Sequence, residues 1–175
     1  EESLKKNEII PNFFPISPKY EVTFEGGIEP NMGNVIRPEQ ARFGPHTIAF
    51  KYEPDRYYCI VMTDRDASLE IPPIAPEWQH WMVVNIHGSK WKEGDVRTAY
   101  MGAFIPNWLT YDTGTHRYVF LVYKQNKGRM KFNWEHRDDR GEFNSEEFAK
   151  NHSLSGPVAI TFSPPTGNDC HAFAW

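Results

Sequence analysis

Apolar and polar positions along this chain change period several times, and most of the changes point to strands. Tyr20 to Glu25 alternates apolar with polar residues and closes on Gly26-Gly27, as expected of a half-buried strand. Thr47 to Tyr52 predicts another strand. Tyr57 to Thr63 is apolar on both faces, which places it at the centre of a sheet covered on both sides. Trp78 to Ile86 and Arg117 to Tyr123 read the same way, Arg129 to Trp134 as an edge strand, and Pro157 to Phe162 as a last strand. One helix is predicted after Asn144: Asn144 or Ser145 caps it, Glu146 and Glu147 favour its positive end, and Phe148 and Ala149 face inward. Pro38 to Phe43 has room for one helical turn before Gly44-Pro45 breaks it. Residues 1–19, polar and punctuated by proline, predict an extended arm.

Composition agrees with that outline. The chain has 175 residues, 39% of them hydrophobic, which suits one domain with one sizeable core. Fourteen Pro and 12 Gly between short apolar runs favour strands joined by irregular loops over a helical bundle. No repeat, low-complexity tract or linker divides the sequence, so residues 1–175 are read as a single domain. A net charge of −4 provides no basic stripe for DNA or RNA. The run from Glu135 to Arg140 reads as a solvated loop. No apolar stretch approaches the roughly 20 residues that span a bilayer.

Cys59 lies in an apolar run and is expected to be a buried small hydrophobe, while Cys170 lies near the end, and a bond between the two is left open. The sequence opens without an initiator Met or a signal-peptide core, which points to processing, trimming or a fragment. A cytoplasmic location is expected, with mitochondrial or secreted alternatives because of that start. Asn151-His152-Ser153 is a glycosylation sequon that matters only in a secreted protein.

Candidate chemistry lies where polar residues interrupt the strands. Period-two alternation puts Tyr58, Ile60, Met62 and Asp64 on one strand face, Trp78, His80, Met82 and Val84 on a second, and His116, Tyr118, Phe120 and Val122 on a third. If neighbouring strands are antiparallel, Asp64, Trp78, His80 and His116 meet at one edge of the sheet. Each also has an ordinary structural reading: Asp64 and Asp66 suit a turn, and Trp78 suits core packing. The HxH, HExxH, CxxC, GxSxG and P-loop patterns are all absent. Asp64, Asp66, His80 and His116 are therefore an unpatterned metal alternative, and an acid–base hydrolase built on Asp64 and His116 lacks a nucleophile. Two His beside turn N–H groups, with Trp and Tyr walls, suit a phosphate with an apolar attachment.

Three ordered blocks carry a resemblance. Tyr57 to Ser68, ending Asp64-Arg65-Asp66-Ala67-Ser68, resembles the strand and DPDAP motif of the phosphatidylethanolamine-binding protein (Raf kinase inhibitor protein) family. Glu77 to Gly88 resembles its EWHHxxVVNxxG block, and Gly114 to Gln125 its GxHRYV block. The resemblance implies a mainly β fold of antiparallel sheets with a few short peripheral helices and a small pocket at one end. It implies a non-enzymatic protein without a cofactor that binds phosphate-like anions or phosphatidylethanolamine head groups and regulates a protein partner, as a kinase or protease inhibitor does. The alternative it offers is a structural subunit with a vestigial pocket, as in the mitochondrial ribosome.

Carried over by motif, Asp64, Ala67, Trp78, His80, His116 and Tyr118 line the pocket, and Asp66, Gly102, Pro106 and Arg117 support it. Four departures accompany the match. Both motif prolines are replaced, by Arg65 and Ser68, and one of the two motif histidines is Gln79. The segment from Gly102 to Asp112 is longer and more aromatic than in the family, and its Trp108 and Tyr111 are expected either to cover the pocket mouth or only to cap the end of the sheet. Cys170 to Trp175 matches the segment before the family's carboxyl-terminal helix, which is expected to be missing.

Overall fold

The central run Tyr57–Asp64 (β4) is buried along nearly its whole length because it has a core on each side. In the computed structural model, which describes residues 2–6, 20–21, 23–25, 32–33, 43–66, 77–102, 116–132, 140–141 and 143–163, one face of β4 carries Cys59 and Val61. These pack with Val119, Leu121, Tyr123, Phe143, Phe148 and Phe162. The other face carries Tyr58, Ile60 and Met62, packed with Ile48, Phe50, Trp81, Tyr118, Phe120 and Val122. A strand covered on both faces has no use for polar alternation, hence its continuous apolar run.

The remaining elements are α1 (Glu2–Lys6), β1 (Tyr20–Glu21), β2 (Thr23–Glu25), β3 (Thr47–Ala49), β5 (Trp78–His87), a 3-10 turn (Trp91–Glu93), β6 (Asp95–Thr98), β7 (Tyr118–Gln125), α2 (Ser145–Asn151) and β8 (Leu154–Ser163). The main sheet runs β1-β8-β7-β4-β5-β6, and β2 pairs with β3 separately. Five neighbouring strands, β8 to β6, are antiparallel, while β1 joins β8 in parallel. The mainly β, antiparallel fold class holds. So does the capped helix: the Asn144 side chain accepts the Glu147 N–H at 2.9 Å, and Phe148 and Ala149 are buried.

Several details differ from the sequence reading. Glu2–Lys6 is helical within the stretch read as an extended arm. The single strand read over Tyr20 to Glu25 is instead two, since Tyr20–Glu21 (β1) pairs with β8 and Thr23–Glu25 (β2) with β3. Residues 129–132 form no strand; Phe132 instead turns inward and stacks on Phe148 and His152. The edge strand on this side is β6, whose short polar sequence gives no alternation to read. Of the turn expected over Pro38 to Phe43, only Phe43 lies within the described residues.

Two β-bulges in β5 break its alternation, between the pairs Tyr58↔Ile86 and Ile60↔Val83 and between Met62↔Trp81 and Thr63↔Gln79. Each inserts one residue and reverses the facing of the residues beyond it. Met82 and Val84 therefore face the Cys59 side, whereas Trp78 pairs with Asp64 and His80 packs against Tyr118 on the other side. The expectation that Trp78, His80, Met82 and Val84 share a face is thus corrected. At the other bulge Asn85 takes φ 57, a left-handed conformation that Asn tolerates well.

The β5–β6 connection needs a residue without a side chain. A Cβ on Gly94 would lie 2.6 Å from a Val83 methyl, 2.9 Å from Ile86 Cγ1 and 2.9 Å from the Val84 carbonyl. Gly94→Ala is expected to lower stability by about 1–3 kcal/mol through overpacking. Chemical denaturation checks this, and an unchanged midpoint would show that β6 gives way at no cost.

Candidate functional site

Register alone brings the first site residues together. Asp64, the last residue of β4, pairs with Trp78 on one side and Tyr118 on the other. His116 lies just before β7, and its Nδ1 is 2.6 Å from Asp64 Oδ2. His80 arrives through the bulge, which aims its ring edge-on at Tyr118 with centroids 5.2 Å apart. Tyr118 also stacks beside His116 with centroids 6.4 Å apart, so one phenol ring lies next to both imidazoles. Asp64, His80, His116 and Tyr118 are buried, and Trp78 is 37% exposed beside them. Of the pocket residues expected from sequence, only Ala67 lies outside the described residues, as do Pro106, the aromatic loop 104–112 and Cys170 to Trp175.

The supporting residues are placed as a frame. Asp66 Oδ2 accepts both the backbone N–H and Nε–H of Arg117 at 2.8 Å, and its Oδ1 accepts Nη2 at 2.7 Å. Asp66 N–H in turn donates to Asp64 Oδ1 at 2.9 Å. One turn thus fixes both the carboxylate and the start of β7. His80 Nδ1 lies 2.9 Å from the Met101 carbonyl, while Met101 N–H donates back to the His80 carbonyl at 2.9 Å. A carbonyl only accepts, so Nδ1 carries the proton, and Nε2 of the neutral ring is an acceptor. Gly102, the residue after Met101, lies close enough for its backbone to favour the protonated His80 ring.

The two histidines are pushed in opposite directions. Burial lowers the pKa of His80 from its ordinary value, and the nearby Asp64 charge offsets this only in part. Burial also opposes the charge on His116, but the hydrogen bond and charge of Asp64, helped by Asp66, outweigh it and raise its pKa. The site therefore holds a neutral, accepting imidazole beside one that favours the cation.

Sequence reasoning missed Arg140. The run Glu135 to Arg140 reads as solvated, yet Arg140 Nη1 donates to the carbonyls of His80 at 2.9 Å and Gln79 at 3.3 Å, clamping the bulge. Residues 135–139 lie outside the described residues. Nothing local distinguishes Arg140; only the tertiary path brings it to β5.

The profile of the family described as phosphatidylethanolamine-binding protein matches residues 28–163, most of the chain. The chain belongs to the phosphatidylethanolamine-binding protein family. Solved structures show the same fold. A phosphatidylethanolamine-binding protein from Plasmodium vivax is 23% identical with a TM-score of 0.74, over 93% of this chain and 95% of that one. A carboxypeptidase Y inhibitor, solved in complex with its cognate proteinase, is 24% identical with a TM-score of 0.70, over 93% and 92%. A Plasmodium falciparum phosphatidylethanolamine-binding protein is 23% identical with a TM-score of 0.65, over 93% and 95%.

Membership in the phosphatidylethanolamine-binding protein family supports a non-catalytic binding protein. Among the described residues, no group of three or more His, Cys, Asp or Glu side chains is arranged to hold a metal ion, and no helix is long and apolar enough to cross a membrane. The departure at Gln79 falls outside the site. Gln79 pairs with Thr63, one residue from Asp64, and so faces the Cys59 side, where it accepts a hydrogen bond from the Thr98 hydroxyl. The ionisable set around Asp64 is unaffected by it.

Proposed function

We propose that this protein binds a phosphate-bearing head group at the Asp64–His80–His116 site and uses that site in regulating a protein partner. The supporting observation is the buried Asp64–His116 contact at 2.6 Å, which stabilises an imidazolium inside an otherwise desolvated cluster. A cation held this way attracts a phosphoryl oxygen through a charge-assisted bond. Neutral His80 supplies an acceptor for a ligand amine or hydroxyl, and Asp64 supplies a counter-charge for an ammonium group. That pairing of cation, acceptor and carboxylate suits a zwitterion such as phosphoethanolamine better than a bare dianion. The exposed Trp78 offers an apolar surface for whatever the head group is attached to. Regulation of a protein partner draws support from the proteinase-bound neighbour. Kinase regulation is part of the same proposal, drawn from the family resemblance.

Glycerophosphoethanolamine is the probe of choice, because its phosphodiester keeps one charge across the range in which His titrates. Binding measured calorimetrically is expected to weaken as pH rises from about 6 to about 8.5, as His116 loses its proton above the ordinary His value. His116→Ala is expected to weaken binding about tenfold at the lower pH, the scale of one charge-assisted bond. Equal affinity of variant and wild type would remove His116 from the site.

A further inference from the structure

The turn that carries Asp64 is held from both faces of the sheet, and the second hold runs through residues that the head-group site does not contain. Arg65 N–H donates to the Arg117 carbonyl at 3.1 Å. Its guanidinium makes an ion pair with Glu77, with side chains only 15% and 5% exposed. The Glu77 oxygen that takes Arg65 also accepts the Ser145 hydroxyl at 2.7 Å and the Ser145 N–H at 3.2 Å, at the first turn of α2. The Glu77 backbone bridges Phe143 in both directions, at 2.6 and 3.1 Å. A chain of contacts therefore leads from the start of α2, across the start of β5, to the residue after Asp64.

Arg65 stands where the family motif has proline. A proline has neither the N–H that meets Arg117 nor a charge for Glu77. The stiffness that a ring would give the turn is replaced here by a backbone hydrogen bond and a buried ion pair. Asp64 lies between the two restraints, since its carboxylate is fixed by Asp66 N–H on one side and its backbone by Arg65 on the other.

We infer that Arg65, anchored by Glu77 and Ser145, is a positioning residue that holds the Asp64 carboxylate against His116 from the opposite face of the sheet. The inference rests on the head-group reading only for its affinity arm; the Asp64–His116 geometry is the part under test.

The experiment tracks the His116 imidazole by NMR titration in wild type, Arg65→Met and Arg65→Met/Glu77→Gln, with glycerophosphoethanolamine binding measured alongside. Direct electrostatics and positioning predict opposite signs. Removing a nearby cation, or leaving Glu77 unpaired, raises the His116 pKa, whereas loosening Asp64 lowers it. The expected result is a fall in Arg65→Met. The double variant leaves no buried unpaired carboxylate and keeps an acceptor for Ser145, so it recovers stability while the His116 titration stays low. Head-group affinity is expected to drop about tenfold with a fall of one pKa unit. An unchanged or raised titration in Arg65→Met, or a return to the wild-type value in the double variant, overturns the inference. Absence of head-group binding in wild type would instead count against the proposed function, and the titration would still decide the role of Arg65.

Discussion

Replacing Asp64 by Asn is expected to carry the His116 titration from above its ordinary value to below it. Asn keeps the shape of the side chain, an acceptor for the Asp66 N–H and a partner for His116 Nδ1, but removes the carboxylate charge. What remains on His116 is chiefly burial, which disfavours the cation, against the weaker pull of Asp66. The fall crosses the ordinary His value, and each pKa unit of it stands for about 1.4 kcal/mol of differential interaction.

Stability must reverse in the same way. With its folded pKa raised, wild-type His116 contributes stability that is fully present below the ordinary value of 6.5 and fades as pH climbs through the folded pKa. His80, with its folded pKa lowered, acts on the other side: protonation favours the unfolded chain, so stability falls as pH drops below 6.5. The wild-type site is therefore most stabilising near 6.5. In Asp64→Asn the alkaline decline disappears and the acid loss deepens, because both histidines then resist protonation. Denaturant midpoints at about pH 5.5, 6.5 and 8 read this directly. A His116 titration that stays at or above its ordinary value in the variant would assign the cation to Asp66 or another group.

The second large effect is expected far from the site, at Asn85. In its left-handed bulge, Asn85 gives its backbone N–H to Gln125 Oε1 at 2.7 Å and takes Gln125 Nε2 on its own Oδ1 at 2.9 Å. The same side chain donates to Asp95 at 2.8 Å and to the Met130 carbonyl at 2.9 Å, and accepts the Met130 N–H at 3.0 Å. One residue thus ties β5 to β6, to the end of β7 and to the turn beyond it. Asn85→Ala leaves several of these groups buried without partners and puts an alanine in a backbone region it disfavours. The expected cost is about 3–4 kcal/mol, or a melting temperature roughly 10 °C lower. Because Asn85 lies at the opposite end of β5 from His80, the His116 titration should stay where it is in wild type. A loss under 1 kcal/mol, on the order of one ordinary hydrogen bond, would show that water replaces the network freely.

The central strands were legible because burial on both faces leaves only one composition open to them. Tyr57 to Thr63 announced its place by being apolar throughout, and Asn144 announced a helix start because a side-chain oxygen is what the first free N–H groups need. The motif blocks around Asp64, Trp78, His80 and His116 are likewise local, and an antiparallel register suffices to bring them together. What sequence could not supply was anything decided by a residue inserted in a strand or by a partner distant in the chain. The bulge at His80 reverses the facing of Met82 and Val84, and a single inserted residue leaves no mark in an apolar run. Arg140 looked like one more surface charge until the fold closed it over the carbonyls of Gln79 and His80. Arg65 looked like the loss of a stiffening proline, yet its ion pair with Glu77 and its N–H to Arg117 restrain the same turn by other means. Periodicity reports which face a side chain must hide, because hydrophobic burial acts on each position in turn. Charge pairing and bulge geometry depend on what lies across the sheet, and only the tertiary structure decides that.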